Sequence, residues 1–526
     1  MVIESPWPTQ SPYPRAPLAP WLEDAALRWG DKVALIDGRG RAEGPGGSGM
    51  KGREYTFRQA FDLARRIGRF LQEQGIAKGD RVAVVSFNCA PLLIHYLGIL
   101  WAGGTVLPLS PLYKERELKH ILADSGAKMA LAAGEALSMV DGMKGELPEL
   151  EALYPLEEVE ARAAVVPPEP RPLEIDPEDT AVLLYTGGTT GLPKGAPRTS
   201  FELIASVRQL SRTRDHKSID TNLVFSPLHL PFALIGVGLC GLSAGTTQVM
   251  MPRFNPDEAM ALIERHRVTN TSLASPALRT LTEGAERGLY DPSSLSLIIS
   301  GGSTMPGDLL ERAQAALGCV ILDAYGLSET SATNTPPILG VKPGSIGPPM
   351  PDTLEKIISP DTGEEVDPGE AGELVMKGPQ VFKGYWQNPE ANAEAFTPDG
   401  WFRTGDLVRA DEDGYCYVVG RTKEIIKYKG YQVAPVELEA VLAEHPAVRE
   451  AAVIPKKDAQ AGELPKALVV LRPGTQAAPE ELMAFVEARV APYKKVREVE
   501  FVESIPRSPL GKILRRELIE RERNKT

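Results

Sequence analysis

The sequence contains few cysteines and histidines, and neither residue type is clustered. Cys89, Cys240, Cys319 and Cys416 are far apart and form no CxxC pair, which disfavours a disulfide framework and is typical of a reduced, cytoplasmic compartment. We interpret each cysteine as a small buried apolar residue rather than a nucleophile. The six histidines have no metal-ligand spacing, so a zinc site is not expected.

Long apolar runs and an excess of basic residues are also missing. No run of eighteen apolar residues occurs, and the proline-rich amino terminus lacks the apolar core of a signal peptide, so we expect no membrane span and no secretion signal. The formal net charge of −12 argues against a dedicated nucleic-acid-binding protein. With 43% hydrophobic and 24% charged residues, the chain is typical of a globular protein. Its 526 residues favour two or more domains.

Strand-like and helix-like segments alternate over the first four-fifths of the chain. Thr56 is placed to cap a helix with apolar residues at helical spacing, and a buried strand pattern follows at 81–87. The same alternation returns after Pro256 and predicts an α/β fold, with parallel sheets covered by helices. From about Gly420, short helices alternate with strands, which predicts a separate, smaller α+β domain.

The segment 183–200, LLYTGGTTGLPKGAPRTS, joins an apolar strand to a loop of glycine and threonine that ends in a lysine. Neither GxxxxGK[ST] nor GxGxxG fits it, because Lys194 is followed by glycine and the first two loop glycines are adjacent. Backbone N–H groups and threonine hydroxyls in such a loop can surround polyphosphate oxygens. A glycine-rich surface turn is the alternative. The residues predicted to form the phosphate cradle are Thr186, Gly187, Gly188, Thr189, Thr190 and Lys194.

Two further motifs, SGGST (300–304) and DAYGLSETS (323–331), each follow a predicted strand. The carboxyl ends of parallel strands are where open α/β sheets bind ligands. Gly302 allows close approach of a flat ring, Tyr325 offers a face for stacking, and Glu329 offers a carboxylate for magnesium. Two tight turns with a capping serine are the alternative interpretation.

Three motifs complete the pattern. Asp406 in WFRTGDL could accept the two hydroxyls of a ribose, although a loop aspartate is the simpler interpretation. The segment 420–439 carries several basic residues, which a solvated hairpin would also explain. Lys512 lies in the proline-flanked turn PRSPLGKILRREL, where a surface lysine is the ordinary alternative.

In this order and spacing, the five motifs resemble the AMP-forming acyl-CoA synthetase family, with its luciferase and peptide-synthetase adenylation relatives, over about residues 20–520. The resemblance implies a large N-terminal domain of stacked α/β sheets (1–420), a hinge (421–423) and a smaller mobile α+β C-terminal domain (424–526), with the active site between them. It implies ATP, Mg²⁺ and coenzyme A as ligands.

The resemblance also implies roles for individual residues. The implied positions are Gly302, Ser303, Asp323, Ala324 and Tyr325 around adenine; Ser328 at the α-phosphate; Glu329 and Thr190 at magnesium; Asp406 and Arg421 at the ribose; Lys423 at the hinge; Lys512 for adenylation; Lys427 and Gln432 for the second step; and Lys429, Gly430 and, more distantly, Arg253 for coenzyme A.

One motif departs from the family pattern. The family usually has an aromatic–histidine pair in PxFHxxG, whereas this chain has SPLHLPFALIGVG, which keeps the proline and loses the aromatic residue. We predict that His229 is the gate beside the carboxylate of the substrate.

The acid is predicted from the apolar run LPFALIGVGL. Its residues Phe232, Leu234 and Ile235 are expected to line the acyl pocket with segments near 301–304 and 326–333, although a core position would also explain them. The run has no aspartate for an α-amino group, so an amino acid is not expected. A medium- or long-chain fatty acid is the first prediction, and an aryl acid such as a cinnamate is the second.

Alternatives also exist for the molecule that accepts the acyl group and for the class of protein. Transfer to a carrier-protein phosphopantetheine is the alternative to coenzyme A. A non-catalytic nucleotide-binding protein is the alternative from another class, which the joint presence of the motif residues disfavours. No nucleic acid partner is expected, and a homodimer is a candidate assembly.

Overall fold

The computed structural model describes residues 2–38, 53–186, 193–213, 220–302, 305, 307–429, 431–458, 460–507 and 513–525, without the side chains of 307, 308, 431 and 432. The strands are β1 (Ile3–Glu4), β2 (Val33–Asp37), β3 (Glu54–Thr56), β4 (Arg81–Val85), β5 (Thr105–Leu109), β6 (Met129–Ala132), β7 (Ala152–Pro155), β8 (Thr180–Thr186), β9 (Lys194–Thr199), β10 (Thr221–Val224), β11 (Thr247–Met250), β12 (Asn270–Leu273), β13 (Leu297–Gly301), β14 (Val320–Leu327), β15 (Ser331–Asn334), β16 (Leu354–Ile358), β17 (Gly372–Lys377), β18 (Phe402–Ala410), β19 (Cys416–Arg421), β20 (Ile426–Tyr428), β21 (Tyr431–Val433), β22 (Val448–Asp458), β23 (Gly462–Leu471) and β24 (Glu498–Phe501).

The helices alternate with these strands along the chain. The α-helices are α1 (Leu18–Ala26), α2 (Phe57–Glu73), α3 (Ala90–Trp101), α4 (Glu115–Ser125), α5 (Glu135–Met143), α6 (Leu156–Ala163), α7 (Ser200–Thr213), α8 (Pro231–Ala233), α9 (Cys240–Ala244), α10 (Pro256–His266), α11 (Ser275–Glu286), α12 (Gly307–Leu317), α13 (Pro389–Ala395), α14 (Pro435–Ala443), α15 (Pro479–Glu487) and α16 (Arg515–Arg523); Lys144–Glu146 and Thr422–Glu424 are 3₁₀ turns, and Leu234–Leu239 is π-helical.

The first sheet has the strand order β7-β6-β4-β5-β8-β9, parallel except for the antiparallel hairpin of β8 and β9. Its inner strands are almost entirely apolar and buried, as expected for strands covered on both faces. Thr56 caps α2 in a reciprocal capping box with Gln59, as the sequence predicted. Helices α2 and α3 pack closely at Gly98, which has no side chain. A Cβ at this position would lie only 2.4 Å from a side-chain carbon of Ile67.

The second sheet has the order β15-β14-β13-β12-β10-β11-β2-β3, with a parallel centre and antiparallel edges. In its register Ser300 pairs with Asp323 and Gly301 with Ala324. The carboxyl ends of β13 and β14 therefore bring two of the predicted motifs side by side.

The third sheet, β1-β16-β17-β18-β19, is antiparallel, and its register pairs Asp406 with Arg421. The 3₁₀ turn Thr422–Glu424 then leads to a fourth sheet, β21-β20-β23-β22 with β24 beside β23, which packs with α14, α15 and α16. The predicted fold class, a large α/β N-terminal part and a smaller α+β C-terminal part, is confirmed. The domain bounds at 420 and 424 stay a prediction.

The four cysteines are buried, as the sequence predicted. Among the residues described, no helix combines the length and the apolar character that crossing a membrane requires.

Candidate active site

A cavity of about 750 Å³ lies where the sheets and the C-terminal part meet. The β8–β9 hairpin, the carboxyl ends of β13 and β14, the loop before α13, the start of β18 and the segment after β19 all contribute to it. The predicted site residues that line it are Thr186, Lys194, Gly302, Ala324, Tyr325, Ser328, Glu329, Arg421, Lys423 and Lys427. The structure thus brings together residues from the motifs at 183–200, 300–304, 323–331, 401–407 and 420–439.

The other predicted residues fall into two groups. Gly187, Gly188, Thr189, Thr190, Ser303, Gly430 and Lys512 lie outside the described residues, as does the side chain of Gln432 in β21. His229, Asp323, Asp406, Lys429 and Arg253 are described but are not among the residues that line the cavity.

Glu329 is 9% exposed and lines the cavity. Its Oε1 accepts a 2.7 Å hydrogen bond from the hydroxyl of Tyr385. The Lys194 ammonium lies 5.3 Å from the centre of the Tyr385 ring. Tyr385 was not predicted, because it stands in a loop 56 residues after Glu329 and no motif marks it.

Arg198 is a second residue that sequence reasoning missed. Its guanidinium is fully buried and ion-paired with Glu202. It donates to the backbone oxygen of Ser328, to Oγ of Ser331 and to the backbone oxygen of Gln380, at 2.7–3.0 Å. A buried arginine in β9 therefore holds the turn that carries Ser328 and Glu329.

Asp406 lies beneath the cavity surface and is 3% exposed. The Tyr325 hydroxyl donates to its Oδ2 at 2.7 Å, and Arg421 Nε lies 2.9 Å from its Oδ1. Burial, together with the Asp406 carboxylate, raises the pKa of Tyr325 well above its usual range, so the hydroxyl remains a donor. Because a carboxylate has about four acceptor sites, these two contacts leave capacity for a further donor.

Asp323, in the middle of β14, is half-buried, and burial raises its pKa to about 8. Near neutral pH its carboxyl is therefore mostly protonated, and it offers one O–H donor beside its acceptor oxygens.

His229 directly precedes Leu230 in the sequence, and Leu230 lines the cavity. Burial lowers the pKa of His229 to about 4, so the imidazole is neutral near pH 7. Of the three apolar residues predicted for the acyl pocket, Phe232 and Ile235 line the cavity. Leu234, the third, is not among the residues that line the cavity and belongs to the buried core, so this prediction is wrong.

Two basic residues of the C-terminal part, Lys423 and Lys427, line the cavity. Lys429 has a positive φ of 49° and lies near the ring of Tyr428. The segments that flank Lys512 are joined by a bridge between Arg507 and Ile513, neither of which belongs to the described cavity lining.

Arg253 lies away from this lining and is exposed. Its guanidinium lies 4.3 Å from the centre of the Phe87 ring.

A magnesium ion fits the donor set around Glu329. No hydrogen bond to its Oε2 is formed within the described part of the chain, so this oxygen is free for an ion on the cavity side. No group of three His, Cys, Asp or Glu side chains in the described residues is placed to hold a metal. At nucleotide sites Mg²⁺ is commonly held by one or two carboxylates together with phosphate oxygens and water.

Comparisons with known proteins agree with this geometry. Residues 22–386 match the AMP-binding enzyme family, and residues 437–512 match the AMP-binding enzyme C-terminal domain. The chain is 36% identical to a long-chain-fatty-acid–CoA ligase of Bacillus subtilis, covering 99% of both chains. It is 38% identical to 4-coumarate–CoA ligase-like 6 of Oryza sativa subsp. japonica, covering 85% of this chain and 78% of the relative.

Among solved structures, ATP-bound MatB from Rhodopseudomonas palustris is similar at a TM-score of 0.87, with 27% identity over 96% of this chain and 99% of that one. The apo form of MatB from the same organism is similar at a lower TM-score of 0.77, with 27% identity over 97% of this chain and 100% of that one. The arrangement of this chain is therefore closer to the ATP-bound form.

The fold and the site define a nucleotide-dependent ligase, and the chain belongs to the AMP-binding enzyme family. Within that family it is an AMP-forming acid–thiol ligase, an acyl-CoA synthetase, as the motifs predicted. Binding of ATP and AMP and the use of coenzyme A follow from this membership.

Proposed function

We propose that this ligase activates a medium- or long-chain fatty acid, forming acyl-AMP and then acyl-CoA. The observation that carries this proposal is an apolar wall of the cavity, formed by Leu230, Pro231, Phe232, Ile235, Ile299 and Ala332. Gly301 leaves room for this wall, since a Cβ there would lie 2.8 Å from the Phe232 ring. The basic residues of the described lining all stand on other elements: the β8–β9 hairpin, β18, and the end of β19 with the segment after it.

The polar side of the cavity suits the nucleotide. We assign the triphosphate to Lys194 and the threonine–glycine loop, and the magnesium ion to Glu329 with Thr190. The protonated carboxyl of Asp323 would complement the adenine edge, which presents an amino donor beside a ring-nitrogen acceptor. The Tyr325 ring and the backbone at Gly302, Ser303 and Ala324 would enclose the base, and Asp406 with Arg421 would hold the ribose.

In the first step a carboxylate oxygen of the acid attacks the α-phosphorus, and the bond from that phosphorus to the bridging oxygen breaks as pyrophosphate leaves. Lys512 would neutralise the approaching charges, and Ser328 would contact the α-phosphate. When bound, magnesium supplies further charge neutralisation at the phosphates. The neutral imidazole of His229 adds no positive charge beside the carboxylate, so we assign it a gating role. Positioning and charge stabilisation carry catalysis of this kind.

In the second step the thiol of coenzyme A attacks the acyl carbon, and AMP leaves. We propose Lys427 and Gln432 for this step and Lys429, Gly430 and Arg253 as coenzyme A contacts. Lys423 would lie at a hinge on which residues 424–526 rotate, so that Lys512 and the thiol channel use the same side of the cavity in turn.

An acid panel tests the proposal. Pyrophosphate release is measured with decanoate, palmitate and cinnamate, with and without coenzyme A, and with decanedioate as a matched control. Decanoate or palmitate should give the highest kcat/KM. Decanedioate should be slower by at least roughly tenfold, because its second carboxylate would be buried unpaired against the apolar wall.

Two outcomes favour the alternatives. A higher kcat/KM for cinnamate than for both fatty acids would favour the aryl-acid ligase, which the similarity to a 4-coumarate–CoA ligase-like protein also supports. Pyrophosphate release without acyl-CoA formation would favour a carrier-protein acceptor. A cytoplasmic location is proposed on the small number of cysteines, which are far apart in the sequence and buried, and a homodimer stays a prediction.

A further inference from the structure

Tyr385 lies between two oppositely charged residues of the cavity. Its hydroxyl donates to Glu329 Oε1 at 2.7 Å, and its ring lies 5.3 Å from the ammonium of Lys194. Within the described part of the chain neither Lys194 nor Glu329 forms an ion pair with any residue. The aromatic side chain thus contacts both a lysine and a carboxylate that line the cavity.

The loop that carries Tyr385 is hydrogen-bonded to the backbone of Glu329 and to that of Gly195, the residue after Lys194. The Phe382 N–H donates to the backbone oxygen of Glu329, and the Trp386 N–H donates to the backbone oxygen of Gly195, each at 2.8 Å. The Tyr385 ring packs edge-on against Phe382 with ring centres 4.9 Å apart. The position of the phenol is therefore set by backbone contacts on either side and not by its own hydrogen bond alone.

We propose that Tyr385 is a positioning residue for the magnesium–ATP complex. Its hydroxyl occupies one oxygen of Glu329 and leaves the other for the ion. Its ring holds the Lys194 ammonium by a cation–π contact and prevents an ion pair between Lys194 and Glu329, which would neutralise both ligand-binding groups. This inference rests on the proposed roles of Lys194 and Glu329.

Two substitutions separate the contributions of the hydroxyl and the ring. Tyr385→Phe keeps the ring and removes the hydroxyl, whereas Tyr385→Leu removes both. Tyr417→Phe is the matched control, because the Tyr417 hydroxyl also donates to a carboxylate, that of Asp411 at 3.1 Å, and neither residue belongs to the described cavity lining. Thermal unfolding of each variant checks that the fold is intact.

The readout is binding of α,β-methylene-ATP by isothermal titration, at a series of Mg²⁺ concentrations and in EDTA. For Tyr385→Phe, the Mg²⁺ concentration at half-maximal binding should rise roughly tenfold, because a hydrogen bond to a charged group is lost. Affinity in EDTA should stay within about twofold, since the ring still holds Lys194. Tyr417→Phe should match the wild type under both conditions.

For Tyr385→Leu, affinity in EDTA should also fall, by roughly fivefold, because Lys194 then pairs with Glu329. Adding Glu329→Gln to this variant should restore the affinity in EDTA, because the competing charge is gone. Wild-type Mg²⁺ dependence in Tyr385→Phe would overturn the hydroxyl role. Equal affinities in EDTA for the Phe and Leu variants would overturn the role of the ring.

Single substitutions distinguish these failures from failure of the proposed function. If Lys194→Ala and Glu329→Gln each weaken binding of the magnesium complex while the Tyr385 variants do not, only the inference about Tyr385 is wrong. If neither Lys194→Ala nor Glu329→Gln changes binding, the proposed phosphate and magnesium roles are wrong, and the inference fails with them.

Discussion

Replacement of Arg198 by methionine should lower both the stability of the fold and the rate of catalysis. A second substitution, at Glu202, should restore the stability but not the rate. The guanidinium is fully buried, and Glu202 is 2% exposed, with Oε1 unpaired. Removing one partner of a buried ion pair costs about 3–5 kcal/mol, because the other charge remains buried without compensation. We expect Arg198→Met to lower the free energy of unfolding by about that amount at pH 8.

The defect should depend on pH. Burial raises the pKa of Glu202, and Arg198 opposes that rise; without Arg198 the pKa rises further. A carboxyl whose folded-state pKa is raised contributes stability below its unfolded pKa and loses it as pH rises through the folded value. The difference in stability between the variant and the wild type should therefore be smaller at pH 5.5 than at pH 8.

A second variant tests whether the arginine also shapes the site. Arg198→Met with Glu202→Leu removes both charges and should recover most of the lost stability. It cannot restore the hydrogen bonds to Ser328, Ser331 and Gln380. Pyrophosphate release should therefore stay at least roughly tenfold below the wild type, because small displacements of positioned groups are costly in rate.

Equilibrium urea unfolding and pyrophosphate release measure the two effects. Arg162→Met is the matched control, because Arg162 pairs with Glu158 four residues away on α6 and both side chains are largely solvated. It should change stability by less than about 1 kcal/mol. A loss below about 1 kcal/mol in Arg198→Met, or wild-type activity in the double variant, would refute the reasoning.

Three further predictions follow from individual residues. Lys512→Ala should slow acyl-adenylate formation by at least about two decades and leave thioester formation from supplied acyl-adenylate nearly unchanged; equal losses in single-turnover assays would contradict the two-step scheme. Asp406→Ala should weaken binding of a non-hydrolysable ATP analogue without altering acid preference, and unchanged affinity in titration would reject the ribose role. Burial raises the pKa of fully buried Glu355 from 4.5 to about 7, so stability should fall as pH rises from about 4.5 to about 7 and then level off. Glu355→Gln should remove about 3 kcal/mol of this dependence, and an identical pH profile of urea unfolding would contradict it.

Local patterns predicted the elements and the motif positions well. The helix capped by Thr56 begins where its capping box requires, since a cap is a contact between residues close in sequence. The apolar runs of β4 and β5 predicted parallel strands because burial on both faces leaves no polar positions. Strand order then explains why SGGST and DAYGLSETS meet, since β13 and β14 are neighbours.

The tertiary structure alone decided which side chains meet. The uniformly apolar run LPFALIGVGL predicts Leu234 as a pocket residue. Leu234 and Ile235 both start the π-helical segment and both belong to the buried core, but Ile235 also lines the cavity and Leu234 does not. Arg198 resembles any strand arginine in the sequence, and its role depends on partners up to 182 residues away. Tyr385 joins Lys194 and Glu329 for the same reason: contacts between distant segments depend on how the sheets pack, and no local period records them.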